Sequence, residues 1–265
     1  MFRALLFACL GLLPSADAGA QAVEVDLQLV LAVDVSRSMD ADEQLLQRRG
    51  YVAAFRHPDV IRAIQAGILG RIAVTYVEWA GNGLQQVVVP WTVVDGAEAA
   101  DNVAARLARA PIQGRRRTSI SSALAFAAGL FRGNGYDSPA RVIDISGDGP
   151  NNAGPMITLA RDAVVAQGIV INGLPVMLKQ GGTFSYFDIG DLDSYYEDCV
   201  IGGFGAFIVS VDDSSEFAAA IRRKLILEIA GARPRPLPAQ LRQPVERSDC
   251  LIGEKLWQQY MSGQE

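Results

Sequence analysis

Histidine and cysteine are scarce in this 265-residue chain, which holds one histidine, His57, and three cysteines. One histidine cannot form a histidine pair, and it leaves no second imidazole for a zinc site. No GxSxG elbow and no phosphate-cradling Walker loop occurs, so the signatures of serine hydrolases and P-loop nucleotide enzymes are missing. Basic charge is also short: 24 Lys and Arg face 29 Asp and Glu, a formal net charge of −5 that argues against nucleic acid as a partner. His57 itself precedes Pro58 at a helix break and reads as a surface or packing residue.

Long apolar runs are missing after the first residues. Arg3, the apolar stretch Ala4 to Leu13, and Ala16-Asp17-Ala18 or Ala18-Gly19-Ala20 have the charged start, core and small-residue cleavage pattern of an export signal. Pro14 interrupts the stretch well short of the roughly twenty apolar residues that span a bilayer. The expectation is a signal peptide over residues 1–20 and an exported product, periplasmic or secreted, without a transmembrane segment. Cys199 and Cys250 then remain, an even count that in an oxidising compartment favours an intramolecular disulfide over two separately buried thiols.

What is abundant is alternation. Strand-like runs at 23–35, 70–79, 84–94, 140–146, 169–176 and 206–211 alternate with helical patterns at 40–64, 95–110, 118–131, 156–167 and 214–229, and a short helix is expected near 191–199. That order predicts one α/β domain over 21–231: a doubly wound, mostly parallel six-stranded sheet with helices on both faces. Ala80-Gly81-Asn82-Gly83 between two β-rich runs is a hairpin signal, so one edge strand is antiparallel. Residues 232–265 form a tail rich in proline, with Pro234, Pro236, Pro238 and Pro244, ending in a short helix near 251–260 that reads as a packing clamp.

The chemistry concentrates at strand ends. Asp34-Val35-Ser36-Arg37-Ser38 follows the apolar run Leu27 to Val33, where open α/β sheets bind ligands. Thr118 opens a helix, and Asp148 lies in the turn Gly147 to Asn152 after another buried strand. All these donors are hard oxygens, suited to Mg²⁺, Mn²⁺ or Ca²⁺. Asp144, four residues before Asp148, reads as structural; Glu78 and Trp79 read as a capped strand end with a half-exposed aromatic. Asn151 and Asn152 are helix caps or cleft residues. Arg115-Arg116-Arg117 is either a solvated loop or a lure for an acidic partner.

Asp34, Ser36, Ser38, Thr118 and Asp148 together resemble the metal-ion-dependent adhesion site (MIDAS) of von Willebrand factor type A domains. The stretches 76–80, 142–152, 171–175 and 199–203 are further similar to a bacterial family of secreted type A proteins catalogued as a domain of unknown function, over about 23–231. The resemblance implies a three-layer type A sandwich in which Ser36, Ser38 and Thr118 offer hydroxyls to a cation, Asp34 and Asp148 hold it largely through water, and one position stays open for an Asp or Glu of a protein partner. Gly147 departs from the common pattern, in which threonine precedes the second aspartate. A binding role without catalysis is the first expectation. A phosphoester or ester hydrolase using the same ion, and a scaffold with no ion, are the alternatives.

Overall fold

The computed structural model describes residues 21–178, 187–231 and 247–263. The expected signal over 1–20, the loop at 179–183 and the proline-rich part of the tail lie outside the described residues. In chain order the elements are β1 (Val23–Glu24), β2 (Leu27–Asp34), α1 (Ala41–Arg56), α2 (Pro58–Gln65), β3 (Ile72–Trp79), β4 (Gln85–Val94), α3 (Ala97–Arg109), α4 (Ile120–Gly129), β5 (Tyr136–Asp137), β6 (Arg141–Gly147), α5 (Ile157–Val165), β7 (Val170–Pro175), α6 (Leu192–Tyr195), α7 (Phe217–Ile229) and α8 (Ile252–Ser262). A π-helical turn, Tyr196–Val200, continues α6.

The main sheet has the order β4-β3-β2-β6-β7, all parallel except β4, which pairs antiparallel with β3 through the predicted hairpin. Alternation along β2 divides the core: Leu27, Leu29, Leu31 and Val33 pack with α1, α2, α3 and α7, while Val30 and Ala32 pack with α4, α5 and α6. Helices therefore cover both faces, as a parallel sheet requires. The helix starts are locally specified. Asp40 and Glu43 form a capping box on α1. Pro58 opens α2, whose cap His57 accepts the Asp59 amide proton at Nδ1, 3.1 Å away. The lone histidine is thus a helix cap, tied also to Arg222 at 2.8 Å.

Two expectations need correction. The segment 206–211 does not form a sixth strand; it meets β7 through isolated parallel bridges, Ile208 with Gly173 and Val211 with Val176 just past the strand, and through the Phe207 amide on the Asn172 side chain. Gly173 and Met177 donate to it, but Pro175 between them has no N–H, which breaks the ladder at its centre. Trp79 is not a half-exposed strand end. Its side chain is fully buried against the α4–α5 side of the sheet, and the neighbouring Glu78 carboxylate, pushed upward in pKa by burial, is ion-paired to the buried Arg48 of α1.

A second buried charge group ties α7 to the sheet. Lys224 lies 2.6 Å from Asp144 of β6 and also pairs with Glu228 one helical turn on, while Asn172 of β7 donates to Glu228 at 3.2 Å. Asp144, Lys224 and Glu228 are all at least 96% buried, so the structural reading of Asp144 agrees with its packing. Two carboxylates share one ammonium here. Burial, and then the charge of Asp144, raise the Glu228 carboxyl to about 7 against the opposing pull of Lys224.

Candidate metal centre

Three loops meet at the carboxyl end of β2 and β6, and the backbone explains why. Strand-like bonding continues past β2: Ser36 bridges Arg115, Arg37 donates to the Arg115 carbonyl at 2.7 Å, and Arg115 donates to the Val35 carbonyl at 2.9 Å. That zips the loop after Asp34 to the loop before α4. The turn after β6 is stitched on by asparagines. Asn152 accepts the Thr118 amide proton at 3.0 Å, its own amide donates to the Thr118 carbonyl at 2.9 Å, and Asn151 accepts from the Ser121 amide at 3.0 Å. Both asparagines therefore hold the start of α4, and neither caps α5, the helix that follows them.

From α1, Gln47 donates to the Asp34 carbonyl at 3.0 Å, and Gln44 donates to the Ser36 and Met39 carbonyls, each at 3.1 Å. Sequence reasoning missed these glutamines. Their signal is modest: two amide side chains three apart on the core-facing side of the helix that follows the Asp-Ser-Ser string.

The five expected site residues lie together at this edge. Asp34 accepts the Ser36 amide at 2.6 Å; the Ser36 and Ser38 hydroxyls are 2.7 Å apart; Ser38 donates to Asp148 Oδ1 at 2.6 Å. Thr118 joins Ser36 and Ser38 in lining one cavity. Ser36 thus connects the two carboxylates, through its amide to Asp34 and through its hydroxyl and that of Ser38 to Asp148. Asp34 has no exposure and its Oδ2 has no hydrogen-bond partner, a costly state for a carboxylate unless a cation or water answers it. Burial, and then the charge of Asp148, push its carboxyl well above the usual range. Two crowded carboxylates beside neutral hydroxyls fit a hard divalent cation. No group of three or more His, Cys, Asp or Glu converges among the described residues, so a cation held here would draw on the hydroxyls as well.

Gly147 is explained by its neighbours. A β-carbon there would lie 2.9 Å from the Tyr196 hydroxyl, 3.0 Å from Asp34 Oδ2 and 3.3 Å from Trp79. Tyr196, on the π turn after α6, fills the space a side chain at 147 would need. Arg117, next to Thr118, holds a left-handed φ of 71°, which costs a non-glycine residue about 1–2 kcal/mol. Its guanidinium is anchored by the Asn152 carbonyl at 2.7 Å and lies 3.7 Å from the centre of the Trp257 ring. The Cys199–Cys250 disulfide is formed and attaches α8 beside the site.

The sequence model of a family described as a protein of unknown function (DUF1194) matches residues 24–233. The chain belongs to this family. Solved structures similar to this DUF1194 chain include a pilus adhesin, a byssal matrix protein and a type A protein. The pilus adhesin SpaC from Lactobacillus rhamnosus GG matches with TM-score 0.57 and 11% identity, over 77% of this chain and 31% of that one. Proximal thread matrix protein 1 from the mussel byssus, with a zinc-occupied MIDAS motif, matches with TM-score 0.52 and 14% identity, over 80% of this chain and 49% of that one. A von Willebrand factor type A protein from Catenulispora acidiphila matches with TM-score 0.51 and 12% identity, over 77% and 43%. The DUF1194 chain has the type A fold and spans about half or less of these proteins. No curated protein matches it.

Proposed function

We propose that this chain is an exported binding module in which a divalent cation, Mg²⁺ with Mn²⁺ or Ca²⁺ as substitutes, links the sheet edge to an acidic group of a protein partner. Asp34, Ser36, Ser38, Thr118 and Asp148 would hold the ion. The observation that carries this reading is the buried Asp34 Oδ2, which has no hydrogen-bond partner, beside the Ser36 and Ser38 hydroxyls that lead to Asp148. A bound divalent charge would balance both carboxylates and leave the ion able to accept another anionic oxygen. The zinc-occupied motif of the mussel protein supports metal use by this fold. Neighbours named for adhesion and matrix roles support binding rather than catalysis. Export is supported by the disulfide, which persists in oxidising compartments. No helix among the described residues is long and apolar enough to cross a membrane.

Calorimetric titration of the purified oxidised chain with Mg²⁺ and Mn²⁺ tests the reading. Saturable binding lost in Asp34→Ala is the expected result. No binding by the unaltered chain refutes it.

A further inference from the structure

The candidate centre is roofed. The cavity above Ser36, Ser38 and Thr118 measures about 640 Å³, within the range of small-molecule sites. Arg37, Arg116 and Arg117 line it with positive charge, against Asp188. Its far side is aromatic: Phe187, Trp257 and Tyr260 form a triangle with ring centres 5.4–5.8 Å apart.

Trp257 and Tyr260 come from α8, which begins at Ile252, beyond the stretch matched by the family model. This helix is fastened at several points. Besides the disulfide, Glu254 accepts from Asn151 at 2.7 Å, and Gly253 packs so closely that a β-carbon would lie 2.1 Å from the Asn151 carbonyl oxygen.

We propose that this cavity binds a compact carboxylate carried on an aromatic or apolar body, either a free small molecule or the carboxyl-terminal residue of a peptide. The carboxylate faces the ion and the arginines, and the body lies against Trp257, Tyr260 and Phe187. The inference rests on the cation-binding reading above: a chain end would be the acidic group of that protein partner, and a free small molecule would take the partner's place. Charge selects the anion, and the aromatic wall selects what carries it.

N-acetyl-L-phenylalanine, its amide, and a tetrapeptide ending in free phenylalanine serve as probes. Each is titrated calorimetrically into the oxidised chain with saturating Mg²⁺, while Mn²⁺ binding is followed on the same preparation by electron paramagnetic resonance. The acid is expected to bind saturably and its amide at least tenfold more weakly. Trp257→Ala is expected to weaken the acid at least tenfold, and Trp257→Phe to restore most of it. Tighter binding of the tetrapeptide assigns the site to a chain end; binding of the free acid alone assigns it to a small molecule. Equal binding of acid and amide, or no loss in Trp257→Ala, overturns the proposal. If Mn²⁺ binds and no probe does, this inference fails while the metal reading stands; if Mn²⁺ does not bind, the metal reading itself fails.

Discussion

Replacing Glu228 by glutamine should change how stability depends on pH. In the folded chain this carboxyl titrates at about 7 rather than its ordinary 4.5, because burial and Asp144 outweigh Lys224. The folded state therefore holds a proton that the unfolded state has released, and stability falls as pH rises from about 4.5 through about 7. Two and a half pKa units correspond to about 3 kcal/mol, present in full above about pH 8. Glutamine keeps an acceptor for Lys224 and Asn172. Its amide nitrogen, however, takes the place of the carboxylate oxygen Oε2, which has no hydrogen-bond partner.

That orphan donor costs about 1–3 kcal/mol at every pH. Glu228→Gln is then less stable than the parent at pH 5 and level with it or more stable at pH 8. The test is the difference between the two curves, measured by urea unfolding at pH 5, 6, 7 and 8 with chelator present. It should grow in the variant's favour by about 2.5 kcal/mol across that range. A difference that stays constant would mean that Lys224 fully compensates the second carboxylate, and the account of the cluster would be wrong.

Gly147→Ala should lower stability by about 1–3 kcal/mol through overpacking against Tyr196 and Asp34, and Tyr196→Phe in the same chain should recover part of it; thermal unfolding by circular dichroism reads both. Asn152→Ala strips the buried Thr118 amide of its acceptor and should cost about 1–3 kcal/mol in urea, with weaker Mn²⁺ binding because Thr118 is no longer fixed. Reducing the disulfide opens a loop of 51 residues' separation, worth about 4 kcal/mol by chain entropy. Hydrogen exchange should show α8 losing protection first, and unchanged exchange in α8 would refute that order.

Features written locally were legible in the sequence. The apolar runs of β2 and β6, the Asn-Gly hairpin and the Pro58 break all specify their elements through neighbours a few residues away, and the Asp-Ser-Ser string sits where β2 delivers it. Features made by packing were not. Lys224 looks like a solvated helix charge until α7 docks on Asp144, eighty residues earlier. Tyr196 shows nothing in sequence of its approach to Gly147. Pro175 could have warned against the sixth strand, since a missing donor is visible in the residue type, but only the observed pairing shows that the donor was needed. The tail helix reads in sequence as a packing clamp, and the cysteine pairing alone does not say which face α8 covers.

Pinning α8 by Cys250 also sets the geometry of access. Trp257 follows that cysteine by seven residues, about 10 Å along a helix, so the covalent tie holds its ring close to the cavity. The ring is held beside the Arg117 guanidinium, so an occupant of the cavity meets the charge and the aromatic face already assembled, without the cost of ordering either.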